Sequence, residues 1–331
     1  MEELVKKLTE AYGPSGFEGQ VRDIISAEVQ GLADEIRTDA LGNLIALKKG
    51  KDRTKKAMLA AHMDEIGVMA THVDKNGFVR FTRLGGVFPL NTPGSRVVFG
   101  NGIVGGIGLE RLEDRSKAPD LDKMFIDVGA RDKDSCPVKV GDAAAFSRPF
   151  VAQNGRWFAK AMDDRIGCAV LIETLRALKK PAIDTYFVFT AQEEVGVRGA
   201  RVAAFAIDPD YGIAVDITGT GDTPECFPMS VELGKGPAIK VMDVGMVAHQ
   251  GLKNWMIKVA EAKGIPYQLE VLVFGGTDAM AIQAAREGVP SGVISIPTRN
   301  AHSASEIVDE GDVKNVIKLL VELLSRQPEL G

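Results

Sequence analysis

The sequence predicts an α/β protein: a largely parallel central sheet flanked by helices, with a small barrel-like β domain inserted into it. Two observations carry this reading. First, apolar runs of strand length at 57–61, 185–190, 211–215 and 292–296 are separated by stretches of helical period. Continuous apolar strands alternating with helices mark a parallel sheet covered on both faces. Second, between about 70 and 158 this texture gives way to glycine, valine and short alternating runs, with no long helical period. The expected division is one α/β domain from 1–69 and 159–331, with 70–158 as the insert.

The elements follow in order. Leu4, Val5, Leu8 and Ala11 form a helical stripe that stops at Gly13-Pro14. Val21, Ile24, Ile25 and Val29 give the inner face of a second helix over 18–30. Residues 36–48 read as a hairpin turning at Leu41-Gly42-Asn43. Inside the insert, 79–82 and 96–99 alternate, and Asn76-Gly77 and Asn101-Gly102 supply turns. Beyond it, Asp163 stands at a helix N-cap position ahead of the stripe Ile166, Ala169, Val170, Ile172, Leu175 and Leu178. Further helices are expected at 254–263, 279–287 and 313–325.

Composition narrows the function classes. Of 331 residues, 45% are hydrophobic and 26% charged, which is ordinary for a globular chain with a sizeable core. A net charge of −5 disfavours nucleic acid as a partner, because phosphate binding needs a basic footprint. No apolar run approaches the ~18 residues that span a membrane. The opening MEELVKKLTEAYG lacks the apolar core of a signal peptide. Three widely spaced cysteines without a CxxC pair fit a reducing compartment, so a cytoplasmic location is expected.

Ligands of open α/β sheets bind beyond the carboxyl ends of the strands. His62 and Asp64 follow the first buried strand, Glu193 and Glu194 the second, Asp216 the third, and His302 the last, while Asp163 opens a helix. Imidazole and carboxylate together suit Zn2+, Co2+ or Mn2+. Two histidines and three carboxylates hold two divalent ions if one carboxylate bridges them. Glu193-Glu194 point to opposite sides of an extended segment, so the pair offers one ligand and one base. Asp64 is spaced to accept the ring N–H of His62. Each signal has an ordinary alternative: a structural histidine, a solvated Glu pair, a helix cap. Their coincidence at several strand ends favours a metal site.

Six segments carry a family resemblance: AHMDEIG at 61–67, AMDDRIGC at 161–168, QEEVG at 192–196, AVD at 214–216, FGGTDA at 274–279, and His302-Ser303. Together, and in this order, they resemble the glutamyl- and tetrahedral-aminopeptidase family of metallopeptidases over nearly the whole chain. The resemblance implies two divalent ions per subunit, Zn2+ or Co2+. It makes Asp163 the bridge, His302 and Glu194 the ligands of one ion, and His62 and Asp216 those of the other. Glu193 becomes the general base and Asp64 the residue that orients His62. Short peptides, cut at the N-terminal residue, are the implied substrate. The insert becomes a dimerisation domain, and dimers of the family often build tetrahedral dodecamers.

Gly275-Gly276-Thr277-Asp278 is assigned to the substrate pocket, against the simpler reading that Thr277 or Asp278 caps a helix. The chain departs from its relatives at Asn300 and Ala304, where an aromatic residue and a proline are common. His72 and His249 match no ligand. The main rival is a two-metal deacylase or amidohydrolase acting on N-acyl amino acids. A glycosidase would leave the histidines without a role, and a non-catalytic assembly protein would leave the whole ligand set without one.

Overall fold

The computed structural model describes residues 1–112, 114 and 116–330. Helices α1 (Glu2–Glu10) and α2 (Gly19–Val29) lead into strands β1 (Glu35–Thr38), β2 (Leu44–Lys48) and β3 (Asp52–His62). Six strands follow: β4 (Gly67–Val73), β5 (Val79–Leu84), β6 (Arg96–Phe99), β7 (Val104–Leu109), β8 (Met124–Asp127) and β9 (Ala143–Phe146). They close into a barrel in the order β4-β5-β8-β7-β6-β9. The chain returns through β10 (Val151–Gln153) and β11 (Arg156–Ala159) to α3 (Met162–Ala177), β12 (Ile183–Thr190), α4 (Arg198–Ile207) and β13 (Tyr211–Thr218). It ends with β14 (Ala238–Met242), α5 (Gln250–Ala262), β15 (Gln268–Val271), α6 (Asp278–Gln283), β16 (Ser291–Arg299), β17 (Glu306–Asp309) and α7 (Glu310–Leu324).

The centre of the large sheet is parallel: β12 pairs with β3, β3 with β13, and β13 with β16. Its flanks turn antiparallel, through β1 and β2 on one side and β17, β11 and β10 on the other. Burial on both faces explains the unbroken apolar runs. On β3, Ala57, Leu59 and Ala61 join the core under α1, α2, α3, α5 and α7, while Met58 and Ala60 face α4 and α6. Side chains alternate along a strand, so both sets must be apolar.

The barrel has its own core, which includes Val68, Val79, Phe81, Val97, Phe99, Ile107, Ile126 and Phe146. Its strands run from Gly67 to Phe146, and β10 and β11, inside the expected 70–158 segment, pair instead with the large sheet through β17. Outside the insert, α4, β14 and β17 escaped the sequence reading. The two strands are five and four residues long. On β14 and β15 the polarity is inverted, because Lys240 and Glu270 are buried while Leu269 and Val271 are exposed. Period-2 patterning cannot flag a strand whose inward residues are charged.

A buried ionic brace ties α1 and the loop that follows it to the end of β3. Arg165, fully buried on α3, donates to the carbonyls of Leu8 (2.8 Å), Met63 (2.5 Å) and Gly13 (3.0 Å). It also reaches Glu65 at 3.2 Å, which Lys160 holds from the other side at 2.7 Å. Removing one member of such a pair leaves buried polar groups unpaired, at about 3–5 kcal/mol. Arg165→Met is expected to lower unfolding stability by that amount in urea titrations. A loss below ~1 kcal/mol would show that the brace is dispensable.

Candidate metal centre

His62 ends β3, and Asp216 lies within β13, one pairing partner further along the parallel centre. Glu193 and Glu194 follow β12, and His302 follows β16. Asp163 sits at a break in α3: Asp163 and Asp164 have non-helical dihedrals, and the peptide joining them is cis. The cap of that helix is not Asp163. Asp164 accepts from Gly167 N (3.1 Å) and from His62 N (3.2 Å), which leaves the Asp163 carboxylate free to face the strand ends.

There it stands between the two imidazoles. Asp163 Oδ1 lies 3.0 Å from His62 Nε2, and its Oδ2 lies 3.1 Å from His302 Nε2. The neighbouring glutamates divide between the same rings. Glu193 Oε2 is 3.9 Å from His62 Nε2, and Glu194 Oε1 is 3.8 Å from His302 Nε2. Asp216 Oδ1 completes the first cluster, 4.0 Å from His62 Nε2. Two ligand atoms on one tetrahedral ion lie roughly 3.3–3.6 Å apart. The observed spacings bracket that value.

Asp64 does more than the spacing suggested. Its carboxylate accepts from Ser15 Oγ (2.6 Å), Glu193 N (2.9 Å) and Glu194 N (3.1 Å), so it fixes the backbone that presents both glutamates. For His62 Nδ1 the nearer acceptor is the main-chain oxygen of Asp64 at 3.0 Å, with Oδ1 at 3.5 Å. On the His302 side, Nδ1 meets the Gly86 carbonyl at 2.9 Å. Glu306 is the residue the sequence reading missed. Buried, it accepts from Asp163 N (3.1 Å) and His302 N (2.8 Å) and so locks two site residues together. Four residues after His302, at the start of the short strand β17, it has no pattern that separates it from a solvated acid.

Of the glycine-rich segment, Thr277 caps α6 by accepting from Ala279 N at 3.3 Å. Asp278 is buried and accepts from Thr190 Oγ1 at 2.5 Å. Gly275 and Gly276 lie in the loop before that helix, and Gly275 has φ +69°. His249 caps α5, and His72 lies on β4 of the barrel.

The charge balance of the cluster is uneven. Asp64, Asp163, Asp164, Glu193, Glu194, Asp216, Asp278 and Glu306 are all buried or nearly so, and they face two imidazoles. Burial pushes the carboxyls of Glu193 and Asp216 well above their ordinary values, and nearby acids add to the effect. Burial lifts Glu194 to about 7 and Glu306 to about 8. Asp163 goes the other way: burial would raise it, but hydrogen bonds from His302 and His62 outweigh burial and hold it well below the carboxylate range. For His302, burial opposes protonation, yet Asp163 and Glu194 raise the ring to about 11. Glu194 Oε1 is buried with no hydrogen-bond partner. Such a cluster carries more acid than its two imidazoles balance, and its donor set of imidazole nitrogens and carboxylate oxygens is the one divalent ions take. Among the described residues, two groups have ligand atoms all within 4.8 Å of one another: His62, Asp163 and Glu194, and His62, Asp164 and Asp216. In the second, Asp164 is already engaged by two backbone donors, whereas Asp163 is not.

Fold and site together define an α/β protein with helices on both faces of its large sheet, a barrel insert and an acidic cluster with two histidines at the strand ends, and comparison with known proteins places it. Residues 42–319 match the model of the M42 glutamyl aminopeptidase family, and the chain belongs to that family. It is an aminopeptidase, a hydrolase of the EC 3.4.11 type. It is 40% identical to a lysyl aminopeptidase of Pyrococcus furiosus, over 97% of this chain and 96% of that one. An aminopeptidase from the archaeon Desulfurococcus kamchatkensis superposes with a TM-score of 0.93 at 38% identity, covering 98% of this chain and 94% of the other. The TET1 peptidase of Pyrococcus horikoshii, which can assemble into a tetrahedron or a large octahedral shell, superposes at 0.89 with 32% identity, covering 98% and 99%. Among the described residues, no helix is long and apolar enough to cross a membrane.

The charge balance carries a pH signature for the metal-free chain. Glu194 and Glu306 are raised in the fold, so they retain protons that the unfolded chain has released above about 4.5. His302 is raised as well, so its contribution is complete below its unfolded value of ~6.5 and is lost as pH climbs toward about 11. Glu194 and Glu306 therefore reduce stability as pH rises to about 7 and about 8, and His302 does so from its unfolded value upward, each by up to about 1.4 kcal/mol per unit, so His302 carries the trend at the top of the range. The urea midpoint of the metal-stripped protein is expected to fall from pH 6.5 to 9. A midpoint that rises over this range would contradict the assignment.

Proposed function

We propose that the cluster holds two divalent ions, Zn2+ or Co2+, and hydrolyses the first peptide bond of short peptides. The observation that supports this most is the Asp163 carboxylate, whose two oxygens each face a different imidazole. In this reading Asp163 would be shared by both ions, His62 and Asp216 would help hold one, and His302 and Glu194 the other. When bound, the ions supply Lewis acidity for the scissile carbonyl and acidify water.

The remaining work belongs to the chain. Glu193 lies beside the His62 half, and its carboxylate, raised by burial, accepts a proton readily near neutral pH. It takes the proton of the attacking water and returns it to the departing amine. Asp64 holds Glu193 and Glu194 at their backbone amides and keeps His62 in the tautomer whose Nε2 faces Asp163. The loop carrying Gly275 and Gly276, backed by Thr277 and Asp278, forms part of the substrate pocket. The barrel serves as a dimerisation domain, with further assembly from dimers, and the protein works in the cytoplasm.

Glu193→Gln is expected to retain both ions by elemental analysis and to lose at least ~10²-fold in kcat, the usual share of a general base. Near-normal turnover would move the base elsewhere. Substrate choice separates a peptidase from a deacylase. Leucine p-nitroanilide should be cleaved and its N-acetyl form should not, because an aminopeptidase requires the free amine. Preference for the acetylated compound would establish the deacylase reading instead.

A further inference from the structure

The two histidines of the centre are oriented by different parts of the molecule. His62 is held by Asp64, two residues away at the end of the same strand. His302 is held by the barrel. The loop between β5 and β6 brings the Gly86 carbonyl to within 2.9 Å of His302 Nδ1, so Nδ1 donates and Nε2 faces Asp163. The approach is so close that a Cβ on Gly86 would lie 2.1 Å from Nδ1 and 2.4 Å from Cε1 of the ring. Gly85 fits as tightly: it has φ +76°, and a Cβ there would come 2.8 Å from Glu194 Oε2. Gly86 N itself faces that oxygen at 3.5 Å. Phe88 then covers His302, with ring centroids 5.8 Å apart.

This loop is not a free arm. Val87 is buried in the barrel core, and Ala304, two residues past His302, packs against the same core. Arg148 adds a hydrogen bond to Ser305 at 2.9 Å. The segment that carries His302 is therefore seated on the barrel, whereas His62, Asp64 and Asp216 belong to the α/β layers.

We propose that Gly85 and Gly86 of the barrel, with Phe88, are positioning residues for one half of the centre only: they set the geometry and affinity of the His302–Glu194 site and leave the His62–Asp216 site to the α/β domain. The inference rests on the two-ion reading above. Partners that orient a metal-binding histidine typically change affinity 10–100-fold when lost. Here that loss falls on one ion of the pair.

The test is Zn2+ binding to the metal-stripped chain, followed by calorimetry and by elemental analysis after dialysis. The unaltered protein should take up two ions per chain. If it does not, the two-ion reading fails, whatever the variants show. In Gly86→Ala the ring and the loop must separate, so one ion should bind about 10–100-fold more weakly while the other keeps its affinity. Gly106→Ala serves as the control. It lies on β7 of the same barrel with open space around its Cβ, and it should bind both ions normally. Selective loss of one ion is a readout that general damage to the barrel does not produce. Unchanged binding in Gly86→Ala, or equal weakening of both ions in a chain with a normal melting curve, would overturn the proposal. Should Gly86→Ala fail to fold, Phe88→Ala takes its place, removing a half-exposed ring: weaker binding of one ion supports the assignment, and two unchanged ions refute it.

Discussion

The structure depends on one electrostatic constraint. A group of carboxylates is withdrawn from water at the ends of the central strands, with two imidazoles set among them. An isolated buried carboxylate is costly, and several together repel one another unless a cation or a proton intervenes. Asp163 escapes this by lying between His62 and His302, each about 3 Å away. Glu193, Glu194 and Asp216 do not, and burial drives all three upward. The same concentration of acid that burdens the bare fold supplies the donor set that the proposed divalent ions would take.

The surrounding layers serve that geometry. The parallel centre delivers His62 and Asp216 to one rim, as open sheets do. Turns with unusual backbones complete the rim. Ala161, Gln192 and His302 have φ of +54°, +59° and +57°, and the first two immediately precede the Asp163 and Glu193 regions. Left-handed conformations in residues other than glycine concentrate where a site constrains the backbone. The polar supports lie behind the front row: Asp64 holds the Glu193-Glu194 backbone, Glu306 ties Asp163 to His302, and Arg165 secures the chain just past His62.

Much of this was legible in the amino-acid order, for identifiable reasons. The central strands read clearly because burial on both faces makes them apolar without interruption. The first two helices were visible from their stripes, and the β insert from its loss of helical period. The front-row acids and histidines stood out because charged residues at the ends of apolar strands need a partner. What stayed hidden depends on contacts between distant segments. Lys240 and Glu270 pair inside the fold at 3.1 Å, and the inward charge of Lys240 interrupts the short apolar run of β14. Glu306 is a support only because the turn at His302 folds back on it. The role of Asp164 as helix cap could not be told from that of Asp163, its neighbour. Gly86 gave no sign at all, since the ring it touches lies 216 positions away.

The central claim is that Asp163 is shared between two ions. Crystals grown with Co2+, with anomalous scattering recorded at the metal edge, test it most directly. The account predicts two peaks roughly 3.5–4 Å apart, each beside a different oxygen of Asp163, one next to His62 and the other next to His302. A single peak, or two that leave either Asp163 oxygen uncoordinated, would contradict it.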